Sequence, residues 1–273
     1  MSRLEQTFAR LRAERACGLF PYLMAGFPDV PTSRALAEAA LEVGVDGFEI
    51  AAPFSDPLAD GTTLQRANAH ALAGGANLDT ALDLVRFVRQ RSPQTPLVLM
   101  SYYNPLRQRG DARVAAQMAE AGVDGAIVAD MPQEEAGSFH EALRAYEVAL
   151  IPLVAPTSPD QRVRAVAATN PAFVYCVALV GVTGARHDLA ATLGGFLQRV
   201  RTATSAPLVV GFGISRPEHV RRVAELGVSG AIVASALADL IEQSANPVPA
   251  ARQYLAALRA AGVSAQGSGV GSR

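Results

Sequence analysis

Short, almost uninterrupted apolar runs alternate along the chain with longer stretches in which apolar residues recur at helical spacing. The runs are LFPYLMAG (19–26), GFEIAA (47–52), PLVLMSY (96–102), GAIVAD (125–130), VALIPLV (148–154), AFVYCVA (172–178), PLVVGFG (207–213) and GAIVAS (230–235). Most are continuously apolar and rich in Val, Ile and Leu, as strands of a parallel sheet covered on both faces must be. The stretches between them read as amphipathic helices. One spans 32–45, follows Pro31 and ends at Gly44. Another covers 79–89 with Asp79 as its cap, and a third covers 111–121, ending before Gly122. Ser158-Pro159-Asp160 and Arg216-Pro217-Glu218 each open a helix with proline in its first turn.

The segments EVGVDGFEI, EAGVDGAIV and ELGVSGAIV share one design, a glycine that ends a helix and a short link into the next strand. Eight strands alternating with helices over about 250 residues predict a single-domain α/β fold, a closed (β/α)₈ barrel. A doubly wound open sheet is the runner-up; it has fewer strands and carries a glycine fingerprint after its first strand, which is missing here. The first residues, MSRLEQTFARLRAERA, read as an extra amphipathic helix rather than a signal peptide, and GVSAQGSGVGSR reads as a flexible tail. The barrel is thus expected over 1–262 and the tail over 263–273.

Composition narrows the chemistry. A net charge of −1 offers no field for nucleic acid or an anionic membrane. No apolar run approaches the roughly 20 residues of a membrane span. Cys17 and Cys176 form no disulfide framework, which favours a reducing, cytoplasmic setting. All 24 basic residues are arginine. Without lysine the chain can form no Schiff base, whether with a carbonyl substrate or with pyridoxal phosphate. The four histidines are scattered and show no metal-ligand spacing. Catalysis is therefore expected to rest on carboxylates, hydroxyls and backbone groups, with no metal and no cofactor.

In a barrel of this kind the site lies at the C-terminal ends of the strands. Glu49 stands inside the second run, where burial would raise its pKa and suit it to proton transfer; a structural ion pair is an equally good reading from position alone. Asp56 and Asp60 lie in the long loop PFSDPLADG; Asp56, before Pro57, reads as a turn residue, and Asp60 fits either a cap or a catalytic role. Tyr102 and Asp130 end the third and fourth runs and Tyr175 lies in the sixth; singly, Asp130 and Tyr175 read more simply as rim and core residues. Glycines gather after the late strands, in Gly181-Val182-Thr183-Gly184 and Gly211-Phe212-Gly213, and Ala234-Ser235-Ala236 opens a short helix. Such loops can bind a phosphate through backbone N–H groups, although glycine also serves merely to permit tight turns. The residues alone thus indicate a barrel enzyme acting on a phosphorylated small molecule, and do not name the substrate.

EIAAPFSDPLADGTTLQRA resembles the second-strand signature of tryptophan synthase α subunits. The resemblance continues in PYLMAGFPD, MSYYNP, GAIVADMPQEE, LVAPTSPDQR, GVTGAR and VGFGIS, in order along nearly the whole chain. It implies a (β/α)₈-barrel carbon–carbon lyase that cleaves indole-3-glycerol phosphate to indole and glyceraldehyde 3-phosphate. By the same resemblance Glu49 is the main acid–base group and Asp60 the second catalytic carboxylate. Gly184, Phe212, Gly213, Ala234 and Ser235 would hold the phosphate. Phe20, Tyr22, Leu99, Met100, Tyr102, Ile127, Leu153 and Tyr175 would line the indole pocket, and Thr183 would meet Asp60 on closure. A pyridoxal-phosphate β subunit, in an α₂β₂ complex, would receive the indole. The sequence departs from the family pattern at Ala51-Ala52, Thr62, Ala178 and Ala234. The Ala234 methyl, where glycine is usual, is expected to crowd the phosphate.

Overall fold

The computed structural model describes residues 1–132, 135–177, 186–211 and 213–263, with the backbone alone described for 186–192. The order is α1 (Arg3–Glu14), β1 (Gly18–Met24), α2 (Val30–Val43), β2 (Phe48–Ala51), α3 (Thr62–Ala73), α4 (Leu78–Arg91), β3 (Leu97–Ser101), α5 (Tyr103–Arg107), α6 (Asp111–Ala121) and β4 (Gly125–Val128). There follow α7 (Gly137–Ala145), β5 (Ala149–Leu150), β6 (Leu153–Val154), α8 (Asp160–Ala168), β7 (Val174–Val177), α9 (Arg186–Ala203), β8 (Leu208–Gly211), α10 (Pro217–Glu225), β9 (Gly230–Val233), α11 (Ser235–Gln243) and α12 (Pro247–Val263).

All neighbouring strands are parallel, in the order β5-β4-β3-β2-β1-β9-β8-β7-β6. The two outermost pieces, β5 and β6, are successive parts of the one run expected at 148–154. Pro152 has no N–H to give and divides the run. Ile151 still donates to the Ala126 carbonyl (2.9 Å), and Tyr175 donates to the Pro152 carbonyl (3.0 Å). The chain itself thereby joins the two ends of the sheet, and the ring closes as the eight-stranded barrel expected from the sequence. Every residue of β1, β2, β3, β4, β8 and β9 is buried, which explains their unbroken apolar character.

Helix ends follow local chemistry. Asp29 caps α2, and Gly44 ends it with φ +80°. The cap of α4 is Asn77, whose Oδ1 accepts from Asp79 N (2.8 Å); Asp79, expected to be the cap, lies inside the helix, because Asn77 accepts the first-turn amides two residues earlier. The amphipathic N-terminal segment forms α1, closed by a Ser2–Glu5 capping box.

α1 covers the N-terminal end of the barrel. Its Phe8 ring stacks on Phe20 at 5.9 Å and meets Phe173 at 5.6 Å. The Phe20 ring fills the space that Gly47 and Gly230 leave by having no side chain; a Cβ at either would collide with it. Phe20 was expected in the substrate pocket and instead plugs the opposite end. It shares the inward face with Tyr22 but sits two residues, or about 6.6 Å, lower in the strand. Both cysteines are free and buried. Among the described residues no helix is long and apolar enough to cross a membrane.

Candidate active site

A cavity of about 550 Å³ opens at the C-terminal ends of the strands. Register decides which residues reach it. Tyr22 is level with Glu49, Ala51 is level with Met100 and Met100 with Ile127, and Leu153 is level with Tyr175. Tyr22, Glu49, Met100, Ile127, Leu153 and Tyr175 all line the cavity. Leu99 belongs to the alternate face, level with Ile50 and Ala126, and does not line it; one step along a strand reverses the side chain.

Glu49 is buried, and its Oε2 has no hydrogen-bond partner among the described residues. Burial, and then the charge of Asp60, push its pKa up to about 8. Asp60 is buried at the end of its loop and is raised to about 6 by burial, against the lowering effect of hydrogen bonds from Asn68 and Tyr102. Glu49 thus holds its proton more firmly than Asp60 does, and the two titrate as a coupled pair.

The loop is fastened from below. Asn68 on α3 donates to Asp60 Oδ2 (3.0 Å) and to the Leu64 carbonyl (2.9 Å), and its Oδ1 accepts from Phe54 N (2.9 Å). Tyr102 accepts from Ala59 N (3.1 Å) and stacks on Phe54 at 5.2 Å. Tyr102, expected as a wall of the pocket, is thus a support beneath the Asp60 loop and not among the residues lining the cavity. Asn68 escaped the reading of the sequence. Its signal was a polar residue on the buried face of α3, alongside Leu64, Ala67 and Ala71.

Asp56 is exposed, in a turn. Asp130 accepts from Tyr103 N (2.7 Å) at the start of α5, as a rim residue would. Tyr175 is buried, and burial raises its pKa well above the ordinary value. Its hydroxyl end occupies the place where a side chain on Gly211 would stand.

Across the cavity from the early strands, Gly213 (φ +77°), Ile214 and Ser215 meet Ala234, Ser235 and Ala236. Ala234 is the N-cap of α11, with φ −120° and no side-chain cap bond, so the leading amides of the helix are available to an anion. His219 Nδ1 lies 2.9 Å from the Gly213 carbonyl and holds that turn, a support the sequence did not reveal. Asp239 also lines the cavity and is paired with Arg66 (3.0 Å). Phe212, Thr183 and Gly184 lie outside the described residues. Among the described residues no cluster of three metal-ligating side chains occurs.

Proton exchange on an apolar molecule with an anionic tail is the work this floor and these walls suit, which places the chain among phosphate-binding barrel enzymes that use carboxylate acid–base chemistry. The family model of the tryptophan synthase alpha chain matches residues 8–264. The tryptophan synthase alpha chain of Roseiflexus castenholzii is 52% identical over 244 residues, covering 89% of this chain and 93% of that one. That of Burkholderia thailandensis is 42% identical over 263 residues, covering 96% and 97%. The crystal structure of the alpha chain from Legionella pneumophila subsp. pneumophila superposes with a TM-score of 0.88 at 33% identity, covering 98% and 99%. A chain of tryptophan synthase from M. tuberculosis in its aminoacrylate-bound form gives 0.87 at 30% identity, covering 96% and 100%. The chain belongs to the tryptophan synthase alpha chain family.

Proposed function

We propose that Glu49 and Asp60 carry out in this chain the reaction of its family, retro-aldol cleavage of indole-3-glycerol phosphate. The observation that carries this assignment is the pair itself, two carboxylates on one cavity with pKa values of about 8 and about 6. Glu49 enters protonated and gives its proton to indole C3. Asp60 enters ionised and faces the indole N–H, stabilising the positive charge that the ring acquires. The bond between C3 and the glycerol chain then breaks, and the hydroxyl proton passes to the Glu49 carboxylate. Glu49 ends as it began, and no net proton is gained or lost. Tyr22, Met100, Ile127, Leu153 and Tyr175 supply the apolar walls for indole. Gly213, Ala234 and Ser235, with Gly184 and Phe212, are assigned to the phosphate, and Thr183 to loop closure over Asp60.

The partner is the β subunit of tryptophan synthase, to which indole is passed. In this reading the assembly is α₂β₂, pyridoxal phosphate belongs to β, this chain carries no cofactor, and the setting is the cytoplasm. The test is indole release from indole-3-glycerol phosphate, first by the chain alone and then with β subunit added. Slow cleavage that rises sharply with β is expected. Fast cleavage without β would mean a free-standing lyase, and no cleavage under either condition would sink the assignment.

Ala234 permits a narrower test. Ala234 stands at φ −120° and ψ −87° and lines the cavity, where its methyl takes up room that glycine would leave open. Ala234→Gly is expected to lower KM for the substrate by up to about tenfold, equivalent to about 1.4 kcal/mol, with kcat little changed. Equal KM values would show that the methyl does not touch the phosphate.

A further inference from the structure

We infer that Arg162 is a steering cation for this cavity, drawing the phosphorylated substrate into a site whose other charged side chains repel it. The inference rests on the reading above that the substrate carries a phosphate. Among the described residues that line the cavity, the ionisable acids are Glu49, Asp60 and Asp239, and the one basic side chain is Arg162. A phosphate monoester near neutral pH brings a charge of about −1.5 to −2. Ionised Asp60 opposes its entry, and Asp239 is offset by its bond to Arg66.

Among the described residues Arg162 has no such engagement. Its Nε is buried without an acceptor, and it forms no ion pair among the described residues. It is the third residue of α8, where the helix N-terminus disfavours a cation rather than holding one. Arg162 also borders a second cavity of about 50 Å³ with Met131, Leu150, Ile151 and Val166, and so stands between that cavity and the main one. Burial, Asp60, Asn68 and Tyr102 account for the pKa values of Glu49 and Asp60, and Arg162 has no part in them. Arg162 follows β6, three strands round the ring from β9 and the α11 N-terminus. A cation placed there does not grip the phosphate; it shapes the field that the phosphate crosses on its way in. Such a charge acts on the association rate and its salt dependence more than on the bound state.

The experiment follows binding rather than cleavage, in the complex with β subunit. Stopped-flow association is measured at two ionic strengths for 3-(indol-3-yl)propyl phosphate, which has no bond to cleave, and for its uncharged alcohol. Arg162→Gln is expected to slow association of the phosphate by about three- to tenfold at low salt and to flatten its salt dependence. The dissociation rate and binding of the alcohol should stay as they were. Arg162→Lys should restore the rate, and thermal melts should match; if Gln at this position fails to fold, the salt dependence of the wild type and of Arg162→Lys decides. Unchanged phosphate association, an equal loss for the alcohol, or a change confined to dissociation would each overturn the inference. Failure of the wild type to bind the phosphate at all would instead overturn the reading of the cavity on which it rests.

Discussion

Glu49→Gln is expected to reduce kcat for indole release by about three orders of magnitude, within the range general acid–base groups supply, with substrate binding nearly unchanged. Glutamine keeps the shape and removes the transferable proton. The substitution should also alter stability, in a direction set by linkage. The pKa of Glu49 stands at about 8 in the folded chain, above its ordinary 4.5. Below pH ~4.5 both folded and unfolded chains hold the proton and the contribution is complete. As pH rises towards 8 the unfolded chain has released its proton and the folded chain has not, so stability falls by about 1.4 kcal/mol for each unit, a few kcal/mol in all. Above pH 8 the decline stops. Asp60 adds to the fall with the same sign between its ordinary 3.8 and about 6. Denaturant unfolding of the wild type should show this decline, and Glu49→Gln should be distinctly flatter between pH 6 and 8. Parallel curves would mean that Glu49 is already ionised in the folded chain. Retained kcat would remove it from the chemistry.

Asp60→Asn is expected to lower kcat by about a hundredfold and to change the shape of the pH–rate profile. The wild type requires Asp60 ionised and Glu49 protonated. Its rate should fall below about pH 6 and again above about pH 8, and the two arms belong to the coupled pair. Asparagine has no charge to lose, so the acid arm should vanish, and the alkaline arm should move down because the neighbouring charge no longer holds the Glu49 proton. An acid arm that survives the substitution would assign it to another group.

Much of this is legible from local pattern. The eight apolar runs are the strands of the ring, and a carboxylate in mid-strand at Glu49 and an aspartate before a helix at Asp60 mark the cavity floor by their positions in the chain. What escapes depends on depth and on distant partners. Alternation tells which face a residue takes but not how far along the barrel it lies, and so the pattern puts Phe20 with Tyr22. Leu99 sits beside Met100 in the sequence, although one step along a strand reverses the face. Tyr102 and Asn68 meet Asp60 only once β3, α3 and the intervening loop are folded together, and no spacing in the sequence announces that triangle. Pro152 signals a break in its strand, yet the closure of the ring on either side of it depends on partners at Ala126 and Tyr175.

The aromatic seal formed by Phe8, Phe20 and Phe173 has a bearing on traffic. A barrel open at both ends would let a small neutral molecule such as indole drain in either direction. With its foot shut by these rings, the cavity opens, among the described residues, at the C-terminal ends of the strands. A protein that is to receive indole without losing it to the surrounding water is therefore expected to sit at that end of the barrel. The direction of delivery is thus decided at the end of the barrel where no chemistry takes place.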